Sequence, residues 1–150
     1  MKSGPERDLV SRYAERFRAL GRGLGLDGPR IAEIAESTAR RDEDRKVEEA
    51  TAIESAIGSG FRRILFDERG VALDSVQFAG AVAKIRDAGA PGLALVIGGP
   101  DGLLSALGEK ADQMLSFGRM TVPHQLVRIL VLEQLYRAST ILAGHPYHRA

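Results

Sequence analysis

The chain has 150 residues, the size of one ordinary domain, which can bury a core without disulfide or metal crosslinks. Its hydrophobic fraction of 44% and charged fraction of 27% are close to globular averages and indicate neither disorder nor a fibrous repeat. The absence of cysteine excludes disulfides, thiolate zinc sites and cysteine nucleophiles, and it fits a reducing compartment. With no apolar stretch of membrane-spanning length and a polar start, we expect a cytoplasmic protein.

The formal net charge is only +1. Proteins that hold naked nucleic acid through its phosphates are usually more basic. If RNA is the substrate, its binding must depend on a local basic patch, on the combined surface of a dimer, or on a structured partner such as the ribosome.

The first segment has the pattern of an amphipathic helix. Ser3 and Glu6 are three residues apart around Pro5, which predicts a capping box at the helix start. One apolar stripe follows at helical spacing, and its members are Leu9, Tyr13, Phe17 and Leu20. Glycines between residues 21 and 28 are expected to end this helix.

The next thirty residues are less regular. Ile31 and Ile34 predict a short strand. Residues 37–49 are dense in mixed charge, a pattern more typical of a solvated loop and helix face than of an RNA contact. A helix follows, ended by glycine at residues 58–60, and its predicted buried side consists of Val47, Ala50, Ile53 and Ile57.

In the remainder, strands alternate with helices. Strands are predicted at residues 63–66, 93–97 and 114–117, with a turn at 67–70, a helix capped by Asp74 or Ser75, and another helix at about 103–111. This alternation predicts an α/β fold with a mainly parallel sheet flanked by helices. Ligands bind such sheets at the carboxyl ends of the strands, here the turns after Phe66, Ile97 and Phe117.

Two of these turns contain residue types suited to ligand binding. Gly98 and Gly99 open a glycine-rich turn whose backbone N–H groups could meet a ligand, although a plain tight connection is the more frequent meaning of such a turn. Its spacing fits neither a dinucleotide fingerprint nor a phosphate-binding loop. After the third strand, His124 follows Pro123 at the start of a helix, where it could act as a neutral hydrogen-bonding group or base, or be a plain surface histidine.

The last predicted helix, from Pro123 to about Gly144, is apolar on more than one face. Charged residues interrupt it, so it cannot span a membrane. A helix of this kind must be buried on several sides, and in so small a protein this predicts a homodimer.

The tail from His145 to Arg149 combines histidine, tyrosine and arginine, which together could stack on a base and pair with phosphate, or form a disordered terminus. Two histidines without a nearby carboxylate make a poor metal site, so we expect no metal. These patterns do not identify a reaction.

Two long sequence motifs do indicate a reaction. The sequence from Leu95 to Gly102 resembles the glycine loop of the RlmH family, the 23S rRNA pseudouridine N3-methyltransferases of the SPOUT superfamily. The segments from Met120 to Arg128 and from Glu133 to Ala138 are similar to the C-terminal block of that family, and His145 to Arg149 to its terminal signature. The element order of the rest is compatible, so the resemblance covers nearly all of the chain.

This resemblance implies one SPOUT-type domain over residues 1–150, with a trefoil knot in roughly residues 93–150 and a long C-terminal dimer helix. It also implies that S-adenosylmethionine is the methyl donor. The residues implied to bind it are Phe66, Gly98, Gly99, Phe117, Gly118, Arg119, Met120, Thr121 and Val122.

The implied acceptor is N3 of a pseudouridine in 23S rRNA on the assembled ribosome. An imide nitrogen is a poor nucleophile until it loses its proton, so the site must disperse the resulting charge. We expect the RNA-facing half of the site to consist of His124, Arg137, Tyr147, His148 and Arg149. In a dimer, the tail could complete the site of the partner.

One departure from the family pattern concerns the amino terminus. Family members have a hydrophobic strand before the segment that matches Lys2 to Glu6, and we expect the sheet of this chain to lack that strand. Two alternatives remain open: a knotted methyltransferase for another RNA such as tRNA, and a dimeric RNA-binding module without catalytic activity.

Overall fold

The computed structural model describes residues 3–98 and 105–149. The residues group into two units, each built from segments that are distant in sequence. The helical unit comprises Met1–Ile31, Leu73–Gly89 and Gln125–Ala150, and the sheet unit comprises Ala32–Ala72 and Ala90–His124. No helix in the described ranges is long and apolar enough to cross a membrane.

The sheet unit contains three parallel strands in the order β2-β1-β3. The strands are β1 (Arg62–Val71), β2 (Leu93–Ile97) and β3 (Gln113–Leu115), and two helices belong to the same unit, α2 (Asp42–Ala56) and α4 (Ser105–Glu109). The predicted parallel α/β organisation is therefore confirmed. Each strand contains one of the predicted runs or part of it, but β1 continues beyond Phe66 to Val71, and β3 ends at Leu115, two residues before its predicted end.

The core of the sheet unit lies between the sheet and its helices. Leu65 of β1, Val96 of β2 and Leu107 of α4 form a buried cluster, against which Ile53 and Ile57 pack. The predicted buried side of α2 is thus largely correct, except that Val47 is exposed near the start of the helix.

The predicted turn at residues 67–70 is an irregularity inside β1. Phe66 and Val71 both pair with Leu115 of β3, so four residues on β1 have no counterpart on β3. The Asp67 carboxylate accepts a hydrogen bond of 2.9 Å from the backbone N–H of Arg69, which closes a local turn. Gly70 lies against β3 so closely that a Cβ there would be 2.6 Å from a backbone atom of Leu115, and the strand therefore approaches β3 only with glycine at this position.

Asp112 fixes β3 to β1 at the other end of the strand. Its carboxylate accepts hydrogen bonds from the backbone N–H of Arg63, at 2.8 Å, and pairs with Arg62 Nε at 3.0 Å. Its own backbone N–H donates to the Arg63 carbonyl at 2.9 Å. A strand of three residues has few ladder bonds, so these contacts specify its register.

The helical unit is built from α1 (Pro5–Gly21), a 3-10 turn at Arg22–Leu24, α3 (Ser75–Asp87) and most of α5 (His124–Ala143). The Ser75 hydroxyl of α3 donates a 2.8 Å hydrogen bond to the side chain of Gln134 in α5. Arg86 of α3 donates to the carbonyl of Leu24 at 3.0 Å. Side-chain contacts thus join α3 to α5 and to the segment that follows α1.

Of the two predicted helix caps, the one at the start of α1 is wrong and the one at the start of α3 is correct. The predicted capping box at Ser3 and Glu6 is wrong, because Pro5 is the first helical residue, Gly4 is the N-cap, and no side chain caps the helix. Ser3 and Glu6 each lie one residue too early for that motif. The predicted cap at Asp74 is confirmed: its carboxylate accepts from the backbone N–H of Gln77, whose side chain accepts from the Asp74 N–H in return.

Two further predictions concern the first segments, and one of them is wrong. The predicted apolar stripe of α1 does face the protein, because Phe17 is buried and Leu9, Tyr13 and Leu20 are half-buried, and the fully buried residues of the helix also include Val10, Ala14 and Gly21. Ile31 and Ile34 form no strand, and Ile31 is exposed. Residues three apart point to opposite faces of a strand, so this pair could not have formed one buried face.

Candidate active site

Predicted cofactor-binding residues lie at the carboxyl edge of the sheet. Phe66 pairs with Ile97 of β2 on one side and with Leu115 of β3 on the other. Gly98 directly follows Ile97, and Phe117 follows Leu115 by two residues, so all three turns selected by the strand pattern open at this edge. Gly99 lies outside the described residues.

The rings of Phe66 and Phe117 stack. Their centroids are 5.4 Å apart and their planes are inclined by 10°. Phe66 is anchored in the core with 7% of its surface exposed, whereas Phe117 is 44% exposed. An anchored ring therefore supports an exposed one, which leaves a flat apolar surface at the end of the sheet.

The turn after β3 is held by Ser116. The backbone N–H of Gly118 donates to the Ser116 hydroxyl, and this hydroxyl donates to the Gly118 carbonyl, each at 2.9 Å. Gly118 has a φ of 129°, which residues with a Cβ rarely adopt. The loop that follows is open to solvent: Arg119, Met120 and Thr121 are exposed and Val122 is half-buried.

A second group of predicted site residues lies in the helical unit around Glu133. Arg137, one helical turn later, donates from Nη2 to Glu133 Oε2 at 2.7 Å and from Nε to Oε1 at 3.2 Å. The Tyr147 hydroxyl donates to the same Oε2 at 2.7 Å. The carboxylate of Glu133 thus joins the C-terminal tail to α5.

Two more contacts complete this group. Arg137 Nη1 lies 3.2 Å from Nδ1 of His148, and the Arg137 guanidinium lies 4.8 Å from the centre of the Tyr147 ring. Of the residues predicted to face RNA, the structure therefore brings together Arg137, Tyr147 and His148. Arg149 is exposed at the end of the described tail, and His124 is the first residue of α5 and belongs to the sheet unit.

The charge states of this group follow from its contacts. The hydrogen bond to Glu133 raises the pKa of Arg137, which therefore stays cationic. Burial, followed by the hydrogen bond to Glu133, raises the pKa of Tyr147 far above its ordinary value of 10.0. Tyr147 is consequently a neutral hydrogen-bond donor near neutral pH and not a base.

A family model described as "Predicted SPOUT methyltransferase" matches residues 1–148. The chain belongs to the SPOUT methyltransferase family. It is 55% identical to the ribosomal RNA large subunit methyltransferase H of Sinorhizobium medicae over 100% of this chain and 94% of that protein. The proteins of the same name from Rhizobium meliloti and Rhodopseudomonas palustris are 54% and 55% identical, with the same coverage. The resemblance to the RlmH family is confirmed, and the protein is a methyltransferase enzyme of that family.

The sheet edge of this SPOUT methyltransferase has surface of the kind that an adenine ring can pack against. The exposed faces of Phe117 and Met120, the latter 85% exposed, offer apolar and polarizable surface for an adenine ring. A Cβ at Gly118 would meet no atom within 4 Å, so the backbone there is accessible to a ligand. No group of residues that could hold a metal ion occurs in the described ranges.

Two residues of the SPOUT methyltransferase were missed as site residues in the sequence. The sequence analysis places Glu133 only within a segment that is similar to the family's C-terminal block. Its spacing of four residues to Arg137 is the spacing of a helical ion pair and could have indicated its role. Ser116 precedes Phe117 and Gly118, and a serine before an aromatic residue and a glycine does not by itself indicate that its side chain holds a turn. Its role in the turn became evident only from the two hydrogen bonds it makes.

Proposed function

We propose that this enzyme transfers the methyl group of S-adenosylmethionine to N3 of a pseudouridine in 23S rRNA, with the assembled ribosome as its substrate. The observation that carries this proposal is the identity of 55% and 54%, over the whole chain, with proteins named ribosomal RNA large subunit methyltransferase H. The arrangement of the two residue groups supports it.

In this proposal the sheet edge holds the methyl donor. When bound, S-adenosylmethionine supplies an electrophilic methyl group on a sulfonium. Phe117, supported by Phe66, contacts the adenine ring, while backbone groups of the two glycine turns bind its polar atoms. The other residues of this proposed pocket are Gly98, Gly99, Gly118, Arg119, Met120, Thr121 and Val122.

The RNA-facing residues in this proposal are His124, Arg137, Tyr147, His148 and Arg149. Arg137 supplies a permanent positive charge that stabilises the imide anion formed when N3 loses its proton. Tyr147 does not take that proton, because its raised pKa keeps its own proton in place. Its contribution is to orient the base, together with the histidines.

We further propose that the chain is one SPOUT domain, knotted in roughly residues 93–150, and that it works as a homodimer through α5. Leu126 and Leu130, one turn apart, are 46% and 38% exposed on the first half of this helix. Two exposed leucines on one helix face are a suitable dimer contact, and in the dimer the tail would complete the partner's site. Light scattering tests this, and Leu126→Lys combined with Leu130→Lys is expected to produce monomers.

The decisive experiment supplies labelled S-adenosylmethionine together with ribosomes that lack the modification, free 23S rRNA, or tRNA. Label on a large-subunit pseudouridine of the ribosome is the expected result, and nuclease digestion maps it. Label on tRNA alone would replace the proposed substrate with tRNA. No transfer to any RNA, together with no binding of the donor by calorimetry, would instead support an RNA-binding module without activity.

A further inference from the structure

The three tyrosines of the chain form one row of ring contacts in the helical unit. Tyr13 of α1 lies 6.4 Å from Tyr136 of α5, measured between ring centres. Tyr136 in turn lies 4.8 Å from Tyr147 of the tail, at an interplanar angle of 61°. The row thus extends the group around Tyr147 to α1, which the sequence did not associate with function.

Each end of this row carries an arginine. Arg137 covers Tyr147, and the guanidinium of Arg16 lies 5.7 Å from the ring centre of Tyr13 and 6.0 Å from that of Tyr136. Arg137 is ion-paired with Glu133, but Arg16 is exposed and forms none of the salt bridges found among the described residues. Within that part of the chain, Arg16 is therefore a cation without an ion-pair partner, held in a partly fixed position by the two rings.

This arrangement has the chemistry of an RNA contact. A guanidinium is a planar donor of several N–H groups and suits phosphate, and contact with aromatic rings restricts its side-chain freedom before a ligand arrives. Tyrosine rings stack on unpaired bases. A chain with a net charge of only +1 must concentrate positive charge locally to hold RNA.

We propose that Tyr13, Arg16 and Tyr136 form an additional RNA-binding surface on α1 and α5, in which Arg16 binds a backbone phosphate of the substrate RNA. The surface continues the row that ends at Tyr147, so it contacts nucleotides neighbouring the target. This inference rests on the proposed function in its choice of RNA, but it concerns residues outside the proposed donor and acceptor sites.

The test compares Arg16→Gln with Arg16→Lys and Arg7→Gln. Arg7 is also exposed on α1 and precedes Arg16 by nine residues, which is two and a half helical turns, so it lies on the opposite side of the helix. Arg7→Gln removes the same charge from the chain, and Arg16→Lys keeps a cation at the proposed site. Thermal unfolding checks that all variants fold.

Binding to assembled ribosomes that lack the modification is measured between about 50 and 200 mM salt, where phosphate contacts dominate the salt dependence. We expect Arg16→Gln to weaken binding about tenfold at low salt and to reduce the slope of log affinity against log salt by about one. Arg16→Lys should retain most of the slope, and Arg7→Gln should match the wild type. Binding of S-adenosylmethionine should not change in any variant.

Equal affinities and slopes for Arg16→Gln and Arg7→Gln would overturn the inference and leave Arg16 with a packing role only. This outcome is distinguishable from failure of the proposed function, which is read from methyl transfer by the wild type. If the wild type binds ribosomes but methylates nothing, the proposed function fails while the Arg16 comparison still decides the inference.

Discussion

The hydroxyl of Tyr147 and the guanidinium of Arg137 donate to the same carboxylate oxygen of Glu133, each at 2.7 Å. Tyr147 lies fourteen residues after Glu133, so this shared acceptor is the point at which the C-terminal tail is tied back to α5. Both donors belong to the residues that we propose to contact RNA. Glu133 therefore positions two functional side chains at once.

Replacing Glu133 tests this positioning role. Glu133→Gln keeps the shape of the side chain but removes its charge, and a neutral amide cannot accept equally well from both donors. We expect kcat/KM for methyl transfer to ribosomes to fall at least about tenfold, because hydrogen bonds to charged groups contribute about 1.5–3 kcal/mol. Steady-state kinetics with labelled donor provides the measurement.

Two further variants serve as controls for this prediction. Tyr147→Phe removes only the hydroxyl that Glu133 accepts from and should reproduce part of the loss. Glu43→Gln makes the same exchange at an exposed position on α2 and should leave the rate close to that of the wild type. A wild-type rate for Glu133→Gln would contradict the positioning role.

The raised pKa of Tyr147 predicts a specific dependence on alkaline pH. A tyrosine whose folded pKa exceeds its unfolded value of about 10 stabilises the fold fully below pH 10, and this contribution is lost as the pH rises above it. Ultraviolet titration of the wild type should show a tyrosine ionisation well above pH 10, and Tyr147→Phe should remove it. An unchanged titration curve in Tyr147→Phe would show that Tyr147 is not held as described.

Gly118 is expected to be required for donor binding. Its φ of 129° is strained for alanine, at a cost of about 1–3 kcal/mol, so Gly118→Ala should displace the turn that carries Phe117. Calorimetry should show weaker binding of S-adenosylmethionine. Gly23→Ala is the matched control, because a Cβ at Gly23 meets nothing within 4 Å and its φ is not positive. Equal donor affinity in the two variants would argue against a role for this turn.

Gly70 should be essential for the pairing of β1 with β3. A Cβ at this position would lie 2.6–2.7 Å from backbone atoms of Met114 and Leu115, so Gly70→Ala should destabilise the protein by about 1–3 kcal/mol. Chemical denaturation measures this difference. Gly80→Ala, in α3 with no atom within 4 Å of the added Cβ, should be neutral or stabilising, because alanine favours helix more than glycine does. Equal stabilities would refute the close approach of the strands.

The ion pair between Glu54 and Arg63 predicts sensitivity to acid. Arg63 donates to Glu54 at 2.6 Å, and this hydrogen bond lowers the pKa of Glu54 from 4.5. The stabilisation is therefore present above pH 4.5 and is lost as the pH falls through the lowered pKa. Denaturation at pH 7 should show Glu54→Gln to be less stable by at most about 1 kcal/mol, since both side chains are partly exposed. The difference should shrink as the pH falls through the lowered pKa of Glu54, and a difference that stays constant with pH would exclude this mechanism.

The arrangement of the strands was largely predictable from the sequence. Residues 64–66 and 93–97 are continuous apolar runs, as strands in a parallel sheet covered by helices require, and both lie in strands. The sheet rule then selected the turns after Phe66, Ile97 and Phe117 without knowledge of the family. Such predictions succeed because burial of apolar side chains is encoded locally.

Features that depend on contacts between distant residues were not predictable in this way. The irregularity at residues 67–70 depends on how closely Gly70 approaches Leu115, which no local pattern specifies. The row of tyrosines joins α1 to α5 and the tail, from opposite ends of the chain. Glu133 carries a local signal only toward Arg137, whereas its bond to Tyr147 requires the tail to fold back.

The contacts that Asp112 makes with β1 help to set the position of Phe117 at the carboxyl edge of the sheet, although Asp112 lies at the opposite end of β3. Asp112 sets how far β3 extends along β1, and Phe117 follows five residues later at the opposite end of the strand. A slip of β3 by one residue would turn every side chain of the strand to the other face and carry Phe117 away from Phe66. In the proposed donor site, substitutions of Arg62 or Arg63 in β1, or of Asp112 at the amino-terminal end of β3, would therefore change donor affinity without contacting the donor.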